Sequence, residues 1–164
     1  MNFFRFGSRR RRARLDLERK LTHQIEAGRK LVIYDQETGL LASWYLALRC
    51  EEECYRSLRY GRSLSLLVVR AVGESEPWLV EGRLADWLRR HTRACDIVGH
   101  LGRGSFVAMM PETGFDGAAL VAERLRQAVP EAETNISCYP QDGESFEELL
   151  AAAVQADSAS ELAA

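Results

Sequence analysis

The sequence predicts an α/β protein built on one mainly antiparallel sheet with flanking helices. Three observations lead to this prediction. The chain has 164 residues, enough for one hydrophobic core of ordinary size and too few for two. Hydrophobic residues make up 46% and charged residues 28% of it, the balance of a globular domain. Short apolar runs of strand length alternate with longer segments of helical periodicity.

The first half of the chain predicts two helices and one strand. Apolar residues recur at helical spacing over residues 13–27, which predicts a leading amphipathic helix. A turn containing Gly39 separates it from a second helix at 43–60, which ends at Gly61. Residues 64–69 are leucine and valine apart from Ser65, a pattern typical of a buried strand.

The second half of the chain predicts the remaining elements from the same periodicities. They are a helix at 78–90, strands at 96–101 and 105–110 joined by a glycine turn, a helix at 115–129, a strand at 134–139 and a helix at 145–156. The expected core positions of the first of these helices are Trp78, Leu79, Leu84 and Trp87. From the first strand onward the order is βαββαβ, which is the arrangement of ferredoxin-like domains.

Composition also excludes several classes of protein. No apolar run approaches the roughly 20 residues that span a bilayer. The apolar start of the chain precedes its arginines, the reverse of a secretory signal, so we expect a cytoplasmic protein whose four cysteines are reduced. The histidines and cysteines do not provide four well-placed ligands, so no metal site is expected.

An arginine run at 9–12, followed by Arg14, gives the N-terminal segment its basic character. Such a run is typical of a solvated terminus. The alternatives are contact with anionic lipid at the inner face of the membrane, with nucleic acid or with an acidic protein. Without interleaved aromatic residues, nucleic acid is not an expected partner.

Several short segments keep the order and spacing of one known family. They are Asp35-Gln36-Glu37-Thr38-Gly39-Leu40, Arg59-Tyr60-Gly61-Arg62, Leu64-Ser65-Leu66-Leu67, Met110-Pro111-Glu112-Thr113, Ala122-Glu123-Arg124-Leu125-Arg126 and Tyr139-Pro140-Gln141-Asp142-Gly143. Together they resemble the GGDEF family, the diguanylate cyclases that make cyclic di-GMP from two GTP. The resemblance implies a degenerate GGDEF-type domain at 35–157, after a basic segment and amphipathic helix at 1–34 and before a tail at 158–164.

The resemblance also implies that catalysis is lost. The signature loop falls at Gly102-Arg103-Gly104-Ser105-Phe106, so its two acidic positions are Gly104 and Ser105. The aspartate that ends the family's first strand corresponds to Arg70. Because magnesium takes hard oxygen ligands, an arginine there provides none. We therefore expect no bound magnesium, no other cofactor and no cyclase activity.

A second site of the family is retained in this sequence. Arg93-Ala94-Cys95-Asp96 resembles its R-x-x-D inhibitory site for cyclic di-GMP, five residues before Gly102, and Arg124 corresponds to the supporting arginine. Arginine can bind the O6 and N7 edge of guanine and the phosphates, and aspartate can accept from guanine N1 and N2. The alternative is that Arg93 ends a helix and Asp96 begins a strand. His100 lies where the family often has another arginine, and its role stays open.

Two functions follow as hypotheses. In the first, the protein is a cyclic di-GMP receptor that binds ligand through Arg93, Asp96 and Arg124 and signals to an effector protein. A membrane-associated complex and a ligand-linked homodimer are the partners that this hypothesis includes. In the second, the same fold is a ligand-independent scaffold for another protein.

Overall fold

The computed structural model of the protein describes Arg19 and residues 32–73 and 76–161, with side chains up to Gln155. The chain divides into two units, Met1–Ile33 and Tyr34–Ala164, and the description below concerns the second. The predicted helix at 13–27, the arginine run and most of the tail at 158–164 lie outside the described residues. The predicted domain limits therefore stay predictions.

A five-stranded sheet forms the centre of the domain and confirms the predicted fold class. Its strands are β1 (Leu41–Ala42), β2 (Leu64–Ala71), β3 (Ile97–Gly102), β4 (Ser105–Pro111) and β5 (Ala132–Tyr139). Their order across the sheet is β1-β3-β4-β2-β5. All neighbours are antiparallel except β1 and β3, which are parallel. This is the mainly antiparallel sheet that the βαββαβ order predicts.

Four helices cover the two faces of the sheet. They are α1 (Ser43–Tyr60), α2 (Pro77–His91), α3 (Phe115–Ala128) and α4 (Phe146–Glu161). Helices α1 and α4 pack on one face, where Leu46, Leu66 and Leu149 belong to one buried cluster. Helices α2 and α3 pack on the other, where Leu84 and Leu125 belong to a second. Alternation along each strand supplies both clusters, because successive side chains point to opposite faces.

Two of the expected core positions of α2 are wrong. Trp78 is 65% exposed and Leu79 is 49% exposed. The helix begins at Pro77, and its buried stripe is formed by Val80, Leu84 and Leu88 at four-residue spacing. Residues in the first turn that precede this stripe face outward, although their hydrophobicity matches it.

The segment predicted as a turn near Gly39 also contains the short strand β1. The turn itself is closed by the Asp35 side chain, whose Oδ1 accepts hydrogen bonds from the backbone N of Thr38 at 2.9 Å and from its Oγ1 at 2.7 Å. Leu41 and Ala42 then pair with Gly99 and His100 of β3. The chain therefore enters the sheet directly after this turn.

The two cysteines of α1 belong to the core. Cys50 and Cys54 are buried against the sheet, and both are free thiols. Burial raises the pKa of Cys54 to about 12, with nearby Glu51 adding to the effect. Such thiols pack as small apolar groups and stay protonated at neutral pH.

Within the part of the chain that the structure describes, no helix is long and apolar enough to cross a bilayer.

Candidate functional site

A cavity of about 450 Å³ opens at one end of the sheet, where β3 begins and β4 ends. This volume lies within the range of about 300–1,000 Å³ that is usual for small-molecule sites. Four arginines and three carboxylates supply its polar lining: Arg49, Glu53, Arg56, Arg62, Arg93, Asp96 and Glu112. A concave surface with this density of guanidinium groups is suited to an anionic ligand.

The first wall of the cavity is the turn between α2 and β3, which contains Arg93 and Asp96. The backbone N of Asp96 donates to the backbone O of Arg93 at 3.0 Å. In return, the backbone N of Arg93 donates to Oδ2 of Asp96 at 2.7 Å. These two bonds close the turn and hold both side chains at the same cavity. One Asp96 carboxylate oxygen is consequently engaged by the backbone.

The second wall of the cavity is a polar stripe on α1. Arg49, Glu53 and Arg56 lie at i, i+4 and i+7, so they share one face of the helix. This stripe runs beside the buried stripe of Leu46, Cys50 and Cys54 that anchors α1 to the sheet. Packing of the apolar stripe therefore orients the polar one toward the cavity.

Ion pairs along α1 partly compensate these charges. Arg49 Nε lies 3.3 Å from Glu52 Oε2, and Arg56 Nε lies 3.5 Å from Glu53 Oε2. The Nε atom of Arg49 is buried and, among the residues described, has no hydrogen-bond partner. The Arg49–Glu52 pair is partly exposed, and pairs of this kind contribute little stability.

The third wall of the cavity joins the end of α1 to the end of β4. Gly61 ends α1 with a left-handed φ of 62°, and its backbone N–H donates to the backbone O of Ser57. The next residue, Arg62, forms an ion pair with Glu112, which directly follows β4. Because α1 ends at Gly61, Arg62 lies at the cavity rim, next to the arginines of α1.

Arg124, the third predicted ligand residue, does not line this cavity. It is exposed on α3, which packs on the face of the sheet opposite to α1. The structure therefore brings Arg93 and Asp96 together with arginines of α1, and it leaves Arg124 outside that group. The three-residue ligand site stays a prediction.

The segment that corresponds to the signature loop lies at the other end of β3. Gly102, Arg103 and Gly104 all have positive φ, at 92°, 51° and 70°. Ser105 begins β4, and Phe106 is fully buried. A Cβ atom at Gly104 would lie 3.2 Å from Glu81 Oε1 and 3.3 Å from Ala71 Cβ. The loop is therefore a tight connection with little room for a larger side chain at Gly104.

Arg70 lies near this loop and is paired with the neighbouring strand. Its Nη2 donates to Oε2 of Glu133 on β5 at 2.6 Å, and its Nε donates to the same oxygen at 3.2 Å. Arg70 also faces Ser105 across β2 and β4. The carboxylate of Glu133, beside this end of β2, is thus paired with a guanidinium group.

His100 joins the Asp35 turn to the sheet. Its Nδ1 lies 3.6 Å from Asp35 Oδ1, and its ring stacks on Phe106 with centroids 4.9 Å apart. Burial raises the pKa of Asp35, but the Thr38 hydrogen bonds and the nearby His100 outweigh burial and hold this pKa below its ordinary value. His100 has a packing role here, away from the cavity lining.

Sequence reasoning missed the α1 wall of the cavity. The signal was present as the i, i+4, i+7 spacing of Arg49, Glu53 and Arg56. That spacing alone is also typical of a solvated helix face, so only the packing of α1 against β3 distinguishes the two. Arg62 and Glu112 lie fifty residues apart, and no local pattern joins them.

Comparisons with known proteins identify solved structures with a similar fold. No protein-family model matches the sequence, and no curated protein matches it significantly. Among solved structures, a sensory box/GGDEF family protein from Caulobacter crescentus CB15 is similar, with TM-score 0.70 and 24% identity over 81% of this chain and 100% of that one.

Two further structures carry information about partners. The GGDEF domain of DgcB from Caulobacter crescentus, in complex with c-di-GMP, has TM-score 0.70 and 15% identity over 82% of this chain and 93% of that one. Diguanylate cyclase SiaD from Pseudomonas aeruginosa, in complex with its activator SiaC, has TM-score 0.64 and 24% identity over 94% of this chain and 72% of that one. The chain therefore has the fold of GGDEF domains.

Proposed function

We propose that this protein is a non-catalytic, GGDEF-type receptor that binds cyclic di-GMP in the cavity and signals through contact with an effector protein. The observation that carries the proposal is the convergence of Arg93 and Asp96 with Arg49, Arg56 and Arg62 on one cavity. The ligand carries two phosphate charges and two guanines. Guanidinium groups can bind both kinds of group, through charge-assisted hydrogen bonds and at the guanine O6 and N7 edge.

The end of the sheet near the signature loop supports the non-catalytic part of the proposal. Magnesium and triphosphate need carboxylate or other hard oxygen ligands. Position 70 instead provides a cation, and that cation is bound to Glu133. The loop provides Gly104 and Ser105 where acidic residues would be needed. These positions therefore supply no carboxylate for magnesium, which supports the non-catalytic part of the proposal.

The comparisons support the ligand and the protein partner in general terms. The DgcB domain is in complex with c-di-GMP, and SiaD is in complex with an activator protein. We extend both properties to this chain as part of the proposal. Ligand binding between α1 and the Arg93 turn would change the surface that the two elements present together.

Calorimetry with cyclic di-GMP tests the proposal. We expect wild-type protein to bind, and Arg93→Ala to lose about tenfold to a hundredfold in affinity, because hydrogen bonds to charged groups contribute about 1.5–3 kcal/mol. Arg90→Ala is the matched control, because Arg90 is exposed on α2 and is not part of the cavity lining. Absence of heat at high micromolar ligand, or wild-type affinity in Arg93→Ala, would refute receptor function.

Arg124→Ala defines the extent of the site. Weaker binding in this variant would show that the ligand extends beyond the cavity toward α3, as the three-residue prediction requires. Unchanged binding would confine the site to the cavity. Formation of cyclic di-GMP from GTP and magnesium by the purified protein would refute the non-catalytic assignment.

A ligand-independent scaffold is the second candidate function. The observation in its favour is the hydrogen bond from the Arg93 backbone N to Asp96, because it gives Asp96 a structural role in its own turn. This function predicts that the double variant Arg93→Ala, Asp96→Ala keeps its partner in a pull-down comparison. The receptor function predicts that partner binding depends on cyclic di-GMP and is lost in the double variant.

A further inference from the structure

Strand β5 is the longer of the two edges of the sheet. It has eight residues, and within the described domain it pairs with β2 and with no other strand. The opposite edge, β1, has two residues. A long edge strand presents a row of backbone N–H and C=O groups that can pair with another strand. Strand β5 is therefore the larger backbone surface on which a partner strand can add to the sheet.

Alternation along the β2–β5 ladder identifies the backbone groups of β5 that point away from the sheet. Beside the ladder, the backbone N of Val72 donates to the backbone O of Glu131, in the same register as β2 and β5. Hydrogen-bonded pairs recur at every second residue of an antiparallel ladder. Asn135 therefore directs its backbone groups toward β2. The N–H and C=O groups of Thr134 and Ile136 point outward.

The outward groups at the two ends of β5 already have partners. The backbone N of Ala132 donates to the backbone O of Val129 at 3.0 Å. The backbone N of Cys138 donates to Oδ2 of Asp142 at 2.7 Å, and its backbone O accepts from the backbone N of Asp142 at 2.9 Å. The outward-facing residues between these ends have no such partner for their backbone N–H groups among the described residues. The open part of the edge is thus short and has fixed limits.

The common devices that protect an edge strand are missing from β5. Proteins protect such edges with lysine, proline or an uncompensated charge. The sequence of β5 contains no lysine, arginine or proline. Its one charged residue, Glu133, is paired with Arg70 of β2, with 2.6 Å between Oε2 and Nη2. A strand that pairs with β5 would therefore meet no uncompensated charge on it.

A second copy of the same edge complements it. If two β5 strands lie antiparallel about a two-fold axis at Asn135, Thr134 of each copy faces Ile136 of the other, and each facing pair exchanges two backbone hydrogen bonds. On the axis, each Asn135 amide offers the other a donor and an acceptor. Glu133 of one copy faces Ser137 of the other, so no like charges meet. This two-fold match favours a second copy over a strand of different sequence.

We propose that β5 is a homodimerisation edge, through which two copies of this chain join their five-stranded sheets into one continuous sheet. No residue of β5 lines the cavity, so this dimer forms without cyclic di-GMP and differs from a ligand-linked homodimer. The open edge is short, so the contact area is small and the dimer is weak and concentration-dependent.

Sedimentation velocity of the full chain without ligand, across a concentration series up to high micromolar, tests the proposal. We expect the wild-type protein to change from monomer to dimer as its concentration rises. Asn135→Asp places two carboxylates opposite each other on the axis, so it should weaken the dimer by at least about tenfold. Gln127→Glu is the matched control, because it makes the same change of charge at an exposed position of α3.

Two results would overturn the proposal. The first is a wild-type protein that stays monomeric throughout the series. The second is a dimer whose affinity in Asn135→Asp equals that in Gln127→Glu, because such a dimer would use another surface. Neither result bears on the receptor function, since no ligand is present in the measurement. Circular dichroism verifies that Asn135→Asp is folded.

A crosslink covers the case in which Asn135→Asp does not fold. Asn135→Cys places two thiols on the axis in a non-hydrogen-bonded pair, whose Cβ atoms lie about 4.5–5.5 Å apart, close to the span of a disulfide. A Cys95→Ser background removes an exposed native thiol. Mild oxidation should give a covalent dimer on non-reducing electrophoresis, and Gln127→Cys in the same background should give far less. Equal amounts of covalent dimer in the two variants would overturn the proposal.

Discussion

Gly99 of β3 pairs with Leu41 of β1 and lies beside Leu46 of α1, and Gly99→Ala is the perturbation that tests this packing. An added Cβ atom would lie 2.8 Å from the backbone O of Leu41 and 2.8 Å from both methyl carbons of Leu46. The Leu46 methyls belong to a fully buried side chain. Because the other contact is a backbone atom, relief requires β1 itself to move.

The expected loss follows from these contacts. Overpacking of a well-packed core by one or more carbon atoms costs typically about 1–3 kcal/mol. Three contacts below 3 Å, one of them to backbone, place Gly99→Ala in the upper half of that range. Leu41 also lines the cavity, and Leu46 precedes Arg49 by one turn of α1. We therefore expect weaker cyclic di-GMP binding together with the loss of stability.

Denaturant unfolding at pH 7, followed by circular dichroism, measures the change in the free energy of unfolding. Gly82→Ala is the matched control: Gly82 is exposed within α2, and an added Cβ there meets no atom within 4 Å. Alanine should stabilise this helix by about 0.5–1 kcal/mol. A loss below about 0.5 kcal/mol in Gly99→Ala, the size usual for surface substitutions, would refute the packing argument.

Three further predictions concern the core, the Asp35 turn and the thiols. Leu149→Ala should lower the free energy of unfolding by about 2–5 kcal/mol, because Leu149 is fully buried between α4 and the sheet; urea titration measures it. Asp35→Asn should destabilise the protein by about 1 kcal/mol at pH 7, because the charged carboxylate accepts two hydrogen bonds from Thr38. The folded-state pKa of Asp35 is lowered, so this contribution is present above the ordinary pKa and is lost as the pH falls through the lowered value. A thiol reagent at pH 8 should modify exposed Cys95 in the native protein, whereas Cys54, with a pKa raised to about 12, should react only after unfolding.

Each of these predictions has a result that contradicts it. A loss below about 1 kcal/mol in Leu149→Ala would mean that the site collapses around the smaller side chain. A stability difference between Asp35→Asn and wild-type protein that persists unchanged to pH 2 would exclude ionisation of Asp35 as its cause. Labelling of Cys54 at the rate of Cys95 in folded protein would show that α1 opens.

The sheet and its helices could be predicted from sequence because they depend on local periodicity. Strand β2 is mostly apolar from Leu64 to Val69, and both of its faces are buried there, as such a segment requires. The errors at Trp78 and Leu79 have a different origin. Hydrophobicity gives the period of a helix, but the side that faces the sheet is fixed by tertiary packing. In α2 the side that faces the sheet carries Val80, Leu84 and Leu88, so Trp78 and Leu79 remain exposed.

The candidate site could be predicted only in part for a similar reason. The Arg93 turn is a local motif with a fixed offset from the loop at Gly102, so sequence spacing locates it. The α1 wall depends on packing between residues far apart in the chain. Nothing in the spacing of Glu53 and Arg56 distinguishes a solvated face from a cavity wall. The position of Arg124 on the opposite face likewise depends on where α3 packs.

The ion pairs of the cavity bear on how its affinity for an anion responds to ionic strength. Arg49, Arg56 and Arg62 already have carboxylate partners in Glu52, Glu53 and Glu112. Added salt screens these internal attractions as well as those to an incoming anion. A ligand that binds these arginines replaces their carboxylate partners. It therefore gains less net attraction at low salt than it would gain from four unpaired guanidinium groups. The affinity for an anionic ligand should consequently fall less steeply with salt concentration than it would for four unpaired guanidinium groups.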